Sequence, residues 1–160
     1  MRKCIAFILL ICCAVCILLF SMQNAEKSNI TSGNASRIIA RMITRGFDEL
    51  SAPEQQRRID EINPYVRKMA HFCEYALFGA LAVLCFFKAE HRKKSLIIAL
   101  CAGALLAVCD ETLQTSVPGR YGSPVDMLID TAGVTAGAML IWIALNRSSK
   151  KGSTPCKEKD

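Results

Sequence analysis

Four nearly unbroken apolar runs divide the chain, at about Cys4 to Phe20, Ala70 to Phe87, Ser95 to Thr112 and Pro124 to Leu145. Each approaches the roughly 17 to 25 residues with which a helix crosses the hydrocarbon core of a bilayer. Lipid offers the backbone no hydrogen-bond partner, so each run is expected to close its bonds within itself as a helix. The pattern therefore predicts an all-α fold: a polytopic membrane four-helix bundle with an extracytoplasmic loop carrying short amphipathic helices. One membrane domain is expected over residues 1–146, followed by a polar, disordered cytoplasmic tail at 147–160.

The segment between the first two runs, Ser21 to Lys68, is too long for a plain connection. Within it Ile38, Ile39, Met42, Ile43 and Phe47 fall near helical spacing, while Arg37, Arg41 and Arg45 recur every fourth residue on another face. That is the pattern of an interfacial amphipathic helix with its basic side toward headgroups, or equally of a helix packed on the rim of the bundle. Pro53 to Glu61 is expected to form a second short helix, ended by a break at Asn63-Pro64.

Composition agrees with the membrane reading. Hydrophobic residues make up 52% of the 160 positions, and the charges are bunched between the apolar runs. The net charge of +6 does not point to nucleic acid, because the 20 Lys and Arg residues flank apolar segments and have anionic headgroups as their expected partners. Arg2, Lys3, the Lys88 to Lys94 loop and the tail hold eleven of them, against nine on the opposite side, of which seven lie between Arg37 and Lys68 in the long loop. The side that concentrates Lys and Arg in short flanks is normally cytoplasmic, which places both termini inside. Phe20, Met22 and Gln23 stand where a signal peptidase would need small residues, so the first run is expected to remain as an anchor. The nine cysteines lie in apolar runs except Cys156 and are expected as small core hydrophobes. Gly133 and Gly137 carry the small-xxx-small spacing of closely packed membrane helices.

Six ionisable residues interrupt the last three runs: His71, Glu74, Asp110, Glu111, Asp126 and Asp130. An Asp at the centre of a membrane helix costs about 2.5 to 3.5 kcal/mol, so each asks for a reason. The expected topology puts all six toward the outer ends of their helices. His71 with Glu74, Asp110 with Gln114, and Asp126 with Asp130 stand three or four residues apart, on shared faces. The stretch from Val117 to Gly122 reads as a tight turn aiming Arg120 back over the cluster, and Arg67 and Lys68 precede His71 by one turn. The expected object is a polar pocket sunk from the outer surface. The plainer alternative is a lattice of structural ion pairs near helix ends.

Taken together, Arg67-Lys68-Met69-Ala70-His71-Phe72-Cys73-Glu74-Tyr75, Asp110-Glu111-Thr112-Leu113-Gln114, Pro118-Gly119-Arg120 and Asp126 to Gly133 resemble the motifs of VanZ-like membrane proteins, over about Asn63 to Leu145. The resemblance implies a small multi-span protein of the bacterial plasma membrane and cell envelope. Its namesake is associated with low-level resistance to the glycopeptide antibiotic teicoplanin. The Arg-Lys-x-x-His motif places this chain nearer another branch than the namesake.

Two functions compete on these residues. In the first, the pocket binds a lipid-linked or anionic headgroup: Arg67, Lys68 and Arg120 contact phosphate, and His71, Glu74, Asp110, Glu111, Gln114, Asp126 and Asp130 order the pocket. Membrane lipids, lipid-linked cell-wall precursors among them, are then the partners. In the second, the protein is an intramembrane hydrolase or transferase acting on an envelope lipid, with a carboxylate or His71 as general base. A metal-assisted form would use Glu74, Asp110, Asp126 and His71, donors that suit Mn or Zn. No nucleophile motif, phosphate loop or metal signature names a catalytic residue or a cofactor. Transport is a third class, and four short spans with polar residues on one side do not make a complete pathway in a monomer.

Overall fold

The computed structural model describes residues 2–23, 25–118 and 122–151, and among them it is helical with no strand. Helix α1 spans Arg2–Ser21, α2 Ala25–Ile43, α3 Ala52–Phe86, α4 Arg92–Thr115 and α5 Pro124–Lys151, with short 3-10 turns at Phe47–Glu49 and Ala89–His91. Four of these, α1, α3, α4 and α5, are long and apolar enough to cross a membrane. The expected all-helical membrane architecture is the one observed.

The centre of the bundle is the contact between α3 and α5, the most extensive in the molecule. Glycines make it close. A Cβ added at Gly133 would meet the carbonyl of Phe72, and one at Gly137 would meet the carbonyl of Ala76. On α3, Gly79 receives the backbone of Val134 in the same way, and Gly103 of α4 receives the Val134 side chain. Between lipid-bathed helices, burial of apolar surface gives no net drive, so close backbone approach and dispersion hold the pair. Tyr75, Phe78, Ala82 and Val83 of α3, Ala99 and Ala107 of α4, and Val134 and Ala138 of α5 form the core, joined by Leu10 and Ile17 of α1. Ile5, Ile8, Leu19, Leu105, Leu128 and Leu140 face outward, as a lipid environment permits.

At one end, α1 and α4 terminate and α5 begins; we call it the Ser21 end. At the other, the Trp142 indole N–H donates to the Arg92 carbonyl at 3.1 Å, and the Arg92 guanidinium donates to Asn146 Oδ1 at 3.2 Å, fastening α4 to α5.

Three expectations need correction. The break at Asn63-Pro64 is absent: Pro64 lies inside α3, so the short helix from Pro53 and the second span are one helix of 35 residues. At 1.5 Å per residue it is about 52 Å long, well over the roughly 30 Å of a hydrocarbon core. Proline removes one backbone donor and crowds the preceding turn. Here α2 packs on α3 at that point and offsets the cost. The Ser36 hydroxyl donates to Asn63 Oδ1 at 2.9 Å, and Ala40, Phe47 and Ile59 form a second small core with Leu50 and Ile62. Gly46, with φ of +68°, supplies the left-handed turn that brings Phe47 back onto it. Thus α2 packs on the rim of α3, while Ile38, Ile39, Met42 and Ile43 are exposed on its other side. Ser36→Ala is expected to destabilise the protein by about 1 kcal/mol, the net worth of one buried hydrogen bond, measured by unfolding in detergent micelles.

The second correction concerns the cysteines. Of the eight described, all are free, only Cys13 and Cys85 are partly packed, and Cys4, Cys12, Cys16, Cys73, Cys101 and Cys109 face outward. Thiols are as compatible with lipid as with a core, so their apolar setting carried no inward direction. Cys156 lies outside the described residues. Third, α5 continues through Arg147 to Lys151, into the segment expected to be disordered. Basic residues in a last turn favour helix against the backbone dipole, and the next glycine is at 152.

Candidate functional site

The ionisable residues of the spans reach the Ser21 end on three helices. Arg67, Lys68 and His71 of α3, Glu111 and Gln114 of α4, and Asp126, Ile129 and Asp130 of α5 line one small cavity of about 20 Å³. Helical spacing explains the convergence: 67, 68 and 71 lie within one turn of one face, 111 and 114 share a second, and 126, 129 and 130 a third. Arg120 lies outside the described residues.

Most of the charges in the cavity are engaged. Lys68 Nζ sits 2.9 Å from Asp126 Oδ1, a half-exposed pair at the mouth. His71 Nδ1 lies 3.8 Å from Glu74 Oε2, one turn further along α3. Glu111 accepts the backbone N–H of Ser123 at 2.7 Å, which ties the start of α5 to the end of α4. Arg67 makes no ion pair or hydrogen bond among the described residues.

Behind the cavity lies a buried polar layer. Gln114 donates through Nε2 to Asp110 Oδ2 and to Ser21 Oγ, each at 3.2 Å, which joins α4 to the last residue of α1. Asp110 is 0% exposed and Asp130 2%. Oδ1 of each has no hydrogen-bond partner among the described residues. The Tyr75 phenol is fully buried beside Asp110. Buried acceptors without donors cost about 1–3 kcal/mol each, which a fold optimised only for stability would not retain.

Asp110 belongs to this layer, while Glu74, partly exposed, lines a separate apolar groove with Cys12, Cys13, Cys16 and Leu77; neither lines the cavity. No three His, Cys, Asp or Glu side chains among the described residues converge as a metal ion would require. The four donors expected for a metal are instead divided: Asp126 pairs with Lys68, His71 with Glu74, and Asp110 with Gln114. Three participants escaped the sequence reading as site residues. Tyr75 and Ser21 are residue types common near the ends of any span. Ser123 acts through its backbone, which leaves no mark on the sequence.

Four apolar spanning helices with a polar cluster gathered at one end define a multi-span helical membrane protein. The family model described as VanZ/LLP1 matches residues 6–145, nearly the whole chain, and the protein belongs to this VanZ-like family. No curated protein and no solved structure matches the chain.

Proposed function

We propose that the protein is a lipid-binding component of the bacterial cell envelope, in which the cavity at the Ser21 end opens on the extracytoplasmic face of the plasma membrane and receives a phosphate-bearing lipid headgroup. The orientation is supported by the basic flanks at Arg2, Lys3, Lys88, Arg92, Lys93 and Lys94, on the side away from the cavity, which put both termini in the cytoplasm. Residues 1–146 form the membrane domain in this reading, and 147–160 the cytoplasmic tail.

One observation carries the assignment: of the two described Lys and Arg side chains lining the cavity, Lys68 is paired with Asp126, whereas Arg67 makes no ion pair or hydrogen bond among the described residues. A guanidinium at the mouth of a membrane cavity presents a planar fork of donors suited to two phosphate oxygens. The cavity is too small for a phosphate, which therefore stays at the rim against Arg67, with the lipid tail in the bilayer. Arg120, the third cation assigned to the phosphate from the sequence, lies outside the described residues. Lipid-linked cell-wall precursors are phosphate-bearing lipids of this kind, and their capture would connect the site with the teicoplanin resistance associated with the family's namesake.

Arg67→Ala is expected to weaken retention of phosphatidylglycerol by about tenfold or more, the worth of a charge-assisted hydrogen bond or two. Native mass spectrometry of protein released from nanodiscs reads it. Unchanged retention rejects the assignment. The rival reading, hydrolysis or group transfer on the same lipid, predicts turnover of the bound phospholipid that Asp130→Asn abolishes.

A further inference from the structure

We infer that the cavity behind Arg67 is a site for a primary ammonium group, so that the headgroup recognised is zwitterionic, with an amine close to its phosphate. The inference rests on the phosphate reading above and specifies the chemistry of the same ligand.

Three observations converge on it. The first is charge. Of the three carboxylates lining the cavity, Asp126 is held by Lys68 and Glu111 accepts from Ser123, which leaves Asp130. Asp130 is 98% buried by its exposure of 2%, lines the cavity, and keeps Oδ1 without a partner among the described residues. Asp110, directly behind on α4, has a second such oxygen. A positive donor entering here meets an unpaired acceptor in a medium where an ion pair is much stronger than in water.

The second is size. A volume of about 20 Å³ accepts one water-sized group. An –NH3+ group is compact and carries three donors, so it fits both the space and the acceptors. A trimethylammonium group has no N–H to give Asp130 and needs several times the space. It is normally held by the faces of Phe, Tyr or Trp, and none of these is among the described residues lining this cavity.

The third is position. Arg67 and Asp130 line the same cavity from α3 and α5, so an anion at the rim and a cation inside can belong to one short headgroup. The phosphoethanolamine headgroup has this order of charges.

The test compares three lipids at equal mole fraction in nanodiscs, read by native mass spectrometry. The wild type is expected to retain phosphatidylethanolamine about tenfold more strongly than phosphatidylcholine, the scale of one charged hydrogen bond. Asp130→Asn, which keeps shape and removes charge, is expected to bring that ratio to about one, with phosphatidylglycerol retained alike by both proteins. Equal retention of the ethanolamine and choline lipids by the wild type overturns the ammonium site, and needs no variant to fold. Retention of phosphatidylglycerol in that same experiment leaves the phosphate reading standing, whereas retention of none of the three overturns both. Release of the bound lipid by free phosphoethanolamine at equal concentration overturns a lipid source in favour of a soluble zwitterion.

Discussion

Gly137→Leu is expected to lower stability by about 3 kcal/mol, the upper end for overpacking, because the first atom it adds already collides with backbone. The Ala76 carbonyl that the new Cβ would meet belongs to a helix and cannot swing aside as a side chain could. The whole α3–α5 contact must open, and with it the alignment of Arg67 and His71 on α3 with Asp126 and Asp130 on α5. Gly33→Ala is the matching control. Nothing lies within 4 Å of its added Cβ, and a helical Gly→Ala change is expected to stabilise by about 0.5–1 kcal/mol. Both are read by unfolding in detergent. A neutral Gly137→Leu would mean that α3 and α5 do not pack as described.

Asp130→Leu is expected to move stability the other way, by about 1–3 kcal/mol in favour of the folded state. The side chains share a branched shape, and the substitution removes a buried oxygen that finds no donor among the described residues. In a purely structural lattice, Asp130 would be one half of an ion pair, and removing it would strand the other half and destabilise by several kcal/mol. The sign of the change therefore separates a site held ready for a ligand from a framework of internal pairs. Loss of stability in Asp130→Leu, with Asp110 intact, would exclude the ligand site.

The sequence makes some of this architecture plain and hides the rest for physical reasons. Spans are legible because a bilayer demands long apolar runs, and both ends of α1 and α4 and the start of α5 fall within a few residues of the apolar boundaries. His71, Glu74, Asp110 and Asp130 are legible because a carboxyl or imidazole in such a run is expensive. The facing of the cysteines is not, since lipid and protein core are equally apolar and periodicity loses its inside and outside. Pro64 misleads because its cost is local, whereas the packing of Ser36 and Ala40 that offsets it comes from residues more than twenty positions earlier. Tyr75 is silent for another reason: only its neighbour across the bundle, Asp110, makes its hydroxyl matter.

The fastening of α4 to α5 through Trp142 has a practical consequence. The chain has one tryptophan, and it sits about 18 Å along α5 from Asp130, at 1.5 Å per residue, on the far side of the hydrophobic core. Its emission is an optical gauge of whether the two helices remain docked, blind to whatever occupies the opposite mouth. Integrity and occupancy can thus be followed as separate signals on unlabelled protein.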